Sequence, residues 1–188
     1  PMLLRSKTVG IVGLGSVGRE VARTCRSLGM KVLATRRTAR KKEDKARYVD
    51  LIVPLKNLNA LLSESDFVVL TLPHTPETSK MIGERELRVM KPTAYLINVG
   101  RGETIDEDAL VHALEEQWIA GAGLDTFAKE PLPANSKLWD LSNVIVSPHA
   151  SGRMENYDFI TTEVFCDNLK RYLAGRRLRN VVNKKRGY

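Results

Sequence analysis

The chain has 188 residues, 43% hydrophobic and 28% charged, the proportions of an ordinary globular protein with room for one good core or one domain plus an appendage. Its net charge is +8, and its two cysteines, Cys25 and Cys166, are too few for a disulfide framework and fit a reducing cytoplasm. No apolar run approaches the roughly 20 residues that span a bilayer, and residues 1–7 lack the apolar centre of a signal peptide, so neither membrane insertion nor secretion is expected.

In chain order the pattern alternates strand and helix. Thr8–Val12 is a short apolar run that reads as a buried strand. A glycine turn follows, then a helix over 17–28 that Gly29 ends. Residues 31–34 form a second strand, 51–53 a weak third, and 55–62 a short helix. Phe67–Leu70 is an apolar strand that runs out before Pro73, and 84–90 is a short helix stopped by Lys91-Pro92. Residues 94–99 give the next strand, closed by Gly100. Asp106 is expected to cap a helix running to position 118, with Ala109, Leu110, Ala113 and Leu114 on one face. Strands over 120–124 and Val144–Val146 follow, then a long helix over 155–173 and a basic tail. Short continuous apolar strands alternating with helices predict an α/β fold, a doubly wound parallel sheet covered on both faces. Residues 1–152 are expected to form that domain, and 153–188 an appended helix and tail. Cys25 falls within the first helix as a small buried hydrophobe.

The segment Gly13-Leu14-Gly15-Ser16-Val17-Gly18 is a G-x-G-x-x-G set between a strand and a helix, the context that gives this motif its value. Gly13 permits the tight turn, Gly15 lets the backbone approach a pyrophosphate, and Gly18 lets helix pack closely on strand. The amides of Ser16 and Val17 would face the phosphates at the positive end of the helix. An enzyme using NAD carries an acidic residue at the end of the second strand to bind the ribose 2′-hydroxyl. Here Arg36, Arg37 and Thr38 stand in that place. Arginine pairs with a 2′-phosphate that a carboxylate would repel, so NADP(H) is expected over NAD(H).

Three later segments bring an arginine, a glutamate and a histidine to predicted strand ends: Ile97-Asn98-Val99-Gly100-Arg101-Gly102, Ala128-Lys129-Glu130-Pro131-Leu132-Pro133, and Ser147-Pro148-His149-Ala150-Ser151-Gly152. Ligands of doubly wound sheets lie beyond the carboxyl ends of the strands, so the three side chains are expected to share a crevice. Reduction of a 2-keto acid needs a forked cation for the carboxylate and carbonyl, a proton donor near neutral pH, and a carboxylate to orient that donor. His74 is a rival histidine better suited to cofactor contact, and His112 is expected on a solvated helix face. No metal site is expected.

These segments, in this order after the glycine loop, resemble the D-isomer-specific 2-hydroxyacid dehydrogenase family from Lys7 to the end of the chain, including Asn180-Val181-Val182 and Gly187-Tyr188. The resemblance implies that Arg101 anchors substrate, Glu130 supports His149, and His149 is the acid/base. It further implies cofactor contacts from Leu72, Pro73, His74 and Thr78, from Val99, Gly100 and Arg101, from Asp125 on the nicotinamide side, and from His149, Ser151 and Gly152. The arginines after the second strand look like the glyoxylate/hydroxypyruvate reductase branch; the formate dehydrogenases of this scaffold use Gln where Glu130 stands. The family builds its substrate site between two lobes, and the lobe formed mainly by upstream sequence is absent here. The chain is therefore expected to be a fragment of a longer enzyme that binds cofactor and turns over little by itself.

The family also pairs its cofactor domains into homodimers, for which Phe159, Ile160, Val164 and Phe165 offer an apolar helix face; they could equally be core. Two other readings stand beside the enzyme. One is a non-catalytic dinucleotide sensor, since transcriptional corepressors share the scaffold and keep the three residues. The other is a nucleic-acid binder using the basic stretches 36–47 and 170–186. The aromatic interleaving of a single-strand binder is absent, so a solvated helix face and tail, with no nucleic-acid partner, is the expectation.

Overall fold

In a computed structural model, residues 3–37 and 46–184 are described; Thr38 and the Gly187-Tyr188 ending lie outside them. The chain divides into two compact units, 1–149 and 150–188.

The first unit is built on seven parallel strands in the order β3-β2-β1-β4-β5-β6-β7. They are β1 (Thr8–Val12), β2 (Lys31–Arg36), β3 (Leu51–Pro54), β4 (Phe67–Leu70), β5 (Tyr95–Asn98), β6 (Gly121–Leu124) and β7 (Val144–Val146). The weak third strand is real: Leu51 sits opposite Leu33 and Val53 opposite Thr35. Period-2 alternation sorts the strand side chains into two cores. Val9, Ile11, Val32, Ala34, Ile52 and Val69 face one side, where helix α1 (Ser16–Ser27) packs with Ala22. Val12, Leu33, Val53, Val68, Leu70 and Leu96 face the other, under α2 (Leu58–Glu64), α3 (Glu84–Val89) and α4 (Glu107–Glu115). This is the doubly wound, Rossmann-like sheet expected. Its order reverses between β1 and β4, which opens a crevice at the carboxyl ends of those strands.

Three local details differ from expectation. The segment after β3 starts as a 3-10 turn over Leu55–Asn57 before α2 begins. Helix α4 stops at Glu115, because Gln117 takes a left-handed φ of 55°. Asp106 occupies the N-cap position without a capping bond, and its carboxylate meets Lys80 Nζ at 3.2 Å. Cys25 is half-buried against the first core, and this burial pushes its thiol upward from the ordinary value.

In the second unit, helix α5 (Tyr157–Leu173) has no buried residue; Phe159, Ile160, Val164 and Phe165 are all exposed rather than core. The tail turns back along the end of α5. Asn168 exchanges two hydrogen bonds with the Arg179 backbone at 2.8 and 3.2 Å. Asp167 gathers Arg171 at 2.8 Å and Arg179 at 3.3 Å. The hydrogen bond from Arg171 is the main reason the Asp167 carboxyl lies below its ordinary range. Among the described residues no helix is long and apolar enough to cross a membrane.

Candidate active site

The turn between β1 and α1 is held by backbone and side chain together. Gly13 has φ 108°, open to glycine at little cost. Its carbonyl accepts the Thr71 hydroxyl, and the Leu14 N–H donates to the Thr35 carbonyl at 3.0 Å, so the turn is stitched to the ends of β4 and β2. A β-carbon on Gly18 would run into the Gly13 carbonyl oxygen, whereas one on Gly15 would meet no atom within 4 Å. The third glycine therefore serves packing, and the second faces open space at the amino end of α1. There the first-turn amides, those of Ser16 and Val17 included, lack an intrahelical acceptor and carry the positive end of the helix dipole. That is the donor set a pyrophosphate needs, so these residues fit a dinucleotide. Arg36 closes β2 half-buried, and Arg37 follows it exposed. Two buried hydroxyls, Thr35 Oγ1 and Thr126 Oγ1, have no hydrogen-bond partner among the described residues.

The loop after β4 sits between two of these turns. Leu72 packs on Gly13, and its backbone lies so close to Gly100 that a β-carbon there would come within 2.7 Å of the Leu72 carbonyl oxygen. Thr78 shapes this loop from within: it is buried, its hydroxyl donates to the Pro73 carbonyl at 2.8 Å, and it accepts the Thr75 N–H at 2.8 Å. His74 is exposed, with Nδ1 3.8 Å from Glu103. His112 is exposed too and stands edge-on to Trp118.

After β5, the fully buried Asn98 folds the next turn. Its Oδ1 accepts the Gly100 N–H at 3.0 Å and its Nδ2 donates to the Arg101 carbonyl at 3.0 Å. The Thr104 hydroxyl donates to the same carbonyl at 2.6 Å. Val99 and Gly100 are thereby fixed, and Arg101 is left exposed. Gly102 packs directly on the Phe127 backbone, where no β-carbon fits.

Glu130 spans the next two elements. Its Oε1 accepts the Phe127 N–H at 3.1 Å, and its Oε2 lies 2.8 Å from His149 Nδ1. The Glu130 carboxyl is held below the usual glutamate range, first by the hydrogen bond with His149, against the opposing effect of desolvation, and then by the Phe127 N–H and the charges of His149 and Arg101. Arg101, Glu130 and His149 are thus electrostatic neighbours. His149 has the left-handed φ of 51°, a conformation other than glycine's that surroundings must impose. Asp125, at 4% exposure, follows β6 and accepts the Ser147 hydroxyl. Beside the pair lies a cavity of about 640 Å³ with Phe127, Leu132, Trp139, Val146 and Pro148 in its wall. Ser151 and Gly152 lie in the second unit, both exposed.

Sequence patterning did not single out Asn98, Thr104 or Ser147. The available signal was a polar residue at the end of an apolar strand, as Asn98 ends Leu96-Ile97 and Ser147 ends Val144–Val146.

A family profile described as "D-isomer specific 2-hydroxyacid dehydrogenase, NAD binding domain" matches residues 2–151. A glyoxylate reductase of Thermococcus gammatolerans is 44% identical over 178 residues, covering 95% of this chain and 52% of the relative. The chain thus spans about half the length of the curated relatives it matches. A D-isomer specific 2-hydroxyacid dehydrogenase from Xanthobacter autotrophicus Py2, solved with NADPH and MES, superposes with TM-score 0.90 at 34% identity over 100% of this chain and 75% of that one. An NAD-complexed D-isomer specific 2-hydroxyacid dehydrogenase from Lactobacillus delbrueckii ssp. bulgaricus gives TM-score 0.83 at 32% identity over 97% of this chain and 57% of its own. The chain therefore belongs to the D-isomer specific 2-hydroxyacid dehydrogenase family, whose NAD-binding domain it carries.

Proposed function

We propose that this chain is the NADP(H)-binding half of an enzyme that interconverts a small 2-keto acid, of the glyoxylate or hydroxypyruvate type, and the corresponding D-2-hydroxy acid. The observation that carries the reading is the 2.8 Å contact of Glu130 with His149, with Arg101 as an electrostatic neighbour, in the same unit as a glycine turn suited to a pyrophosphate. The bound dinucleotide would supply the hydride.

The chain's own residues do the rest. Gly15, Ser16 and Val17 present backbone to the pyrophosphate, and Arg36 and Arg37 bind the 2′-phosphate. Leu72, Pro73, His74, Thr78, Val99 and Gly100 line the cofactor, and Asp125 orients its nicotinamide side. Arg101 binds the substrate carboxylate as a fork. With Nδ1 committed to Glu130, His149 holds the transferable proton on Nε2; it gives that proton to the carbonyl oxygen as the carbonyl carbon is reduced and recovers it in oxidation. Glu130 stabilises the imidazolium and fixes the ring. The thermococcal relative's name supports a glyoxylate-type substrate, and the Xanthobacter structure's NADPH supports the phosphorylated cofactor. In this reading residues 1–152 hold the dinucleotide, 153–188 return to a substrate lobe, and the α5 face serves a homodimer.

The test has two arms. NADPH should bind the chain more tightly than NADH in titration calorimetry. In the two-lobed protein, His149→Gln should lower kcat for glyoxylate reduction by about 10²- to 10⁴-fold in a variant that still binds NADPH. Turnover that survives the substitution sinks the acid/base assignment.

A further inference from the structure

The carboxyl ends of β6 and β7 are joined by the backbone and the side chain of Ser147. Ser147 Oγ donates to Asp125 Oδ1, and the Ser147 N–H donates to the Leu124 carbonyl at 2.9 Å. The Ser147 carbonyl accepts the His149 N–H at 3.0 Å, closing a three-residue turn around Pro148, whose ring fixes its own φ. His149 leaves that turn at φ 51° with its ring on Glu130. The histidine is thus held at two points: its backbone by Ser147, its ring by Glu130.

We infer that Ser147 is a positioning residue, which by binding the buried Asp125 carboxylate fixes the Pro148 turn and so registers the His149 imidazole against Glu130. The inference rests on the proposed roles of His149 and Asp125. Its consequence is that the cofactor-facing carboxylate and the acid/base ring move as one body. Removing the hydroxyl takes a donor from a carboxylate that is 4% exposed, and it frees the β7 end to relax the left-handed backbone at His149.

A hydroxyl that merely satisfied Asp125 would leave the Glu130–His149 contact untouched, and the Glu130 carboxyl reports on that contact. The experiment follows the Glu130 carboxyl carbon by NMR through an acid titration of the whole 188-residue chain, as wild type, Ser147→Ala and Ser147→Thr. Ser147→Ala should move the Glu130 titration upward, toward the ordinary glutamate range, and Ser147→Thr, which keeps a hydroxyl, should restore it. An unmoved titration in Ser147→Ala, or no recovery in Ser147→Thr, overturns the inference. Should the alanine variant fail to fold, Ser147→Cys, whose thiol is a weak donor, takes its place with the same expected rise. A parallel titration with NADPH separates this result from the functional reading. A wild-type chain that binds no NADPH defeats the proposed function, while the Glu130 titration still decides on Ser147.

Discussion

Two glycines of one loop should respond in opposite ways to the same added methyl group. In Gly18→Ala the new carbon falls against the Gly13 carbonyl oxygen and lies 3.0 Å from Thr71 Oγ1. Neither atom withdraws easily, because the Thr71 hydroxyl is bonded to that carbonyl. Overpacking of this kind costs about 1–3 kcal/mol. At about 2–4 °C per kcal/mol for a chain of this size, the midpoint of thermal unfolding should fall by roughly 2–12 °C. In Gly15→Ala the carbon meets nothing within 4 Å, so the midpoint should hold to within about 1 °C. The same carbon occupies the space into which a pyrophosphate would come. Loss of one charge-assisted hydrogen bond, about 1.5–3 kcal/mol, should weaken NADPH by about 10- to 150-fold. Thermal unfolding without cofactor and calorimetric titration with NADPH read the two quantities separately. Equal destabilisation by both substitutions, or a Gly15→Ala chain that binds NADPH like the wild type, would refute the division of labour assigned to the loop.

Other outcomes follow from the same structure. If the proposed role of Arg36 and Arg37 holds, replacing both by Ser should weaken NADPH about tenfold or more while NADH stays within about twofold; paired calorimetric titrations with equal losses would contradict that role. Leu96→Ala removes a fully buried side chain from β5 at the centre of the larger core and should cost about 2–5 kcal/mol in urea unfolding, so a loss below about 1 kcal/mol would show that the core collapses around the gap. The Glu130 carboxyl is depressed from 4.5, so its contribution to stability is present above that value and is lost as pH falls through the lowered one. Wild type should therefore exceed Glu130→Gln in denaturant midpoint at about pH 6, with the gap closing as the medium is acidified below about pH 4. A gap that widens on acidification reverses the assigned sign.

The alternation of strand and helix was readable because most strands carry a short apolar run and many of the turns are marked by glycine or proline. Even the weak strand at Leu51 appears, since its partner Leu33 lies in a strongly patterned neighbour. What sequence spacing does not carry is long-range polar pairing. Asp106 looked like a cap, yet its carboxylate serves Lys80, 26 residues away. Helix α4 appeared to continue to Trp118 because nothing in the apolar periodicity marks the left-handed turn at Gln117. The same holds at the site. Arg101, Glu130 and His149 stand out because they break apolar patterns beside glycine or proline, and the structure brings them together. Asn98 and Ser147 do not stand out, because each serves a backbone group or a carboxylate that only folding delivers. Thr78 was read as a cofactor contact, and the bonds seen for its hydroxyl are spent inside its own loop.

The two outermost strands of the sheet share a property that bears on how copies of this protein meet. Strand β3 is four residues long and ends in Pro54, while β7 is three residues long and is followed by Pro148. Short, proline-terminated borders offer an incoming strand few unpaired amides and no way to lengthen the ladder. The sheet is therefore closed to growth by sideways addition, and concentrating the protein should not zip copies edge to edge. At the β7 border Pro148 lies between Ser147, whose N–H makes the last bond to β6, and His149, so the residue that lets no further strand pairing follow also leads into the turn that carries the imidazole.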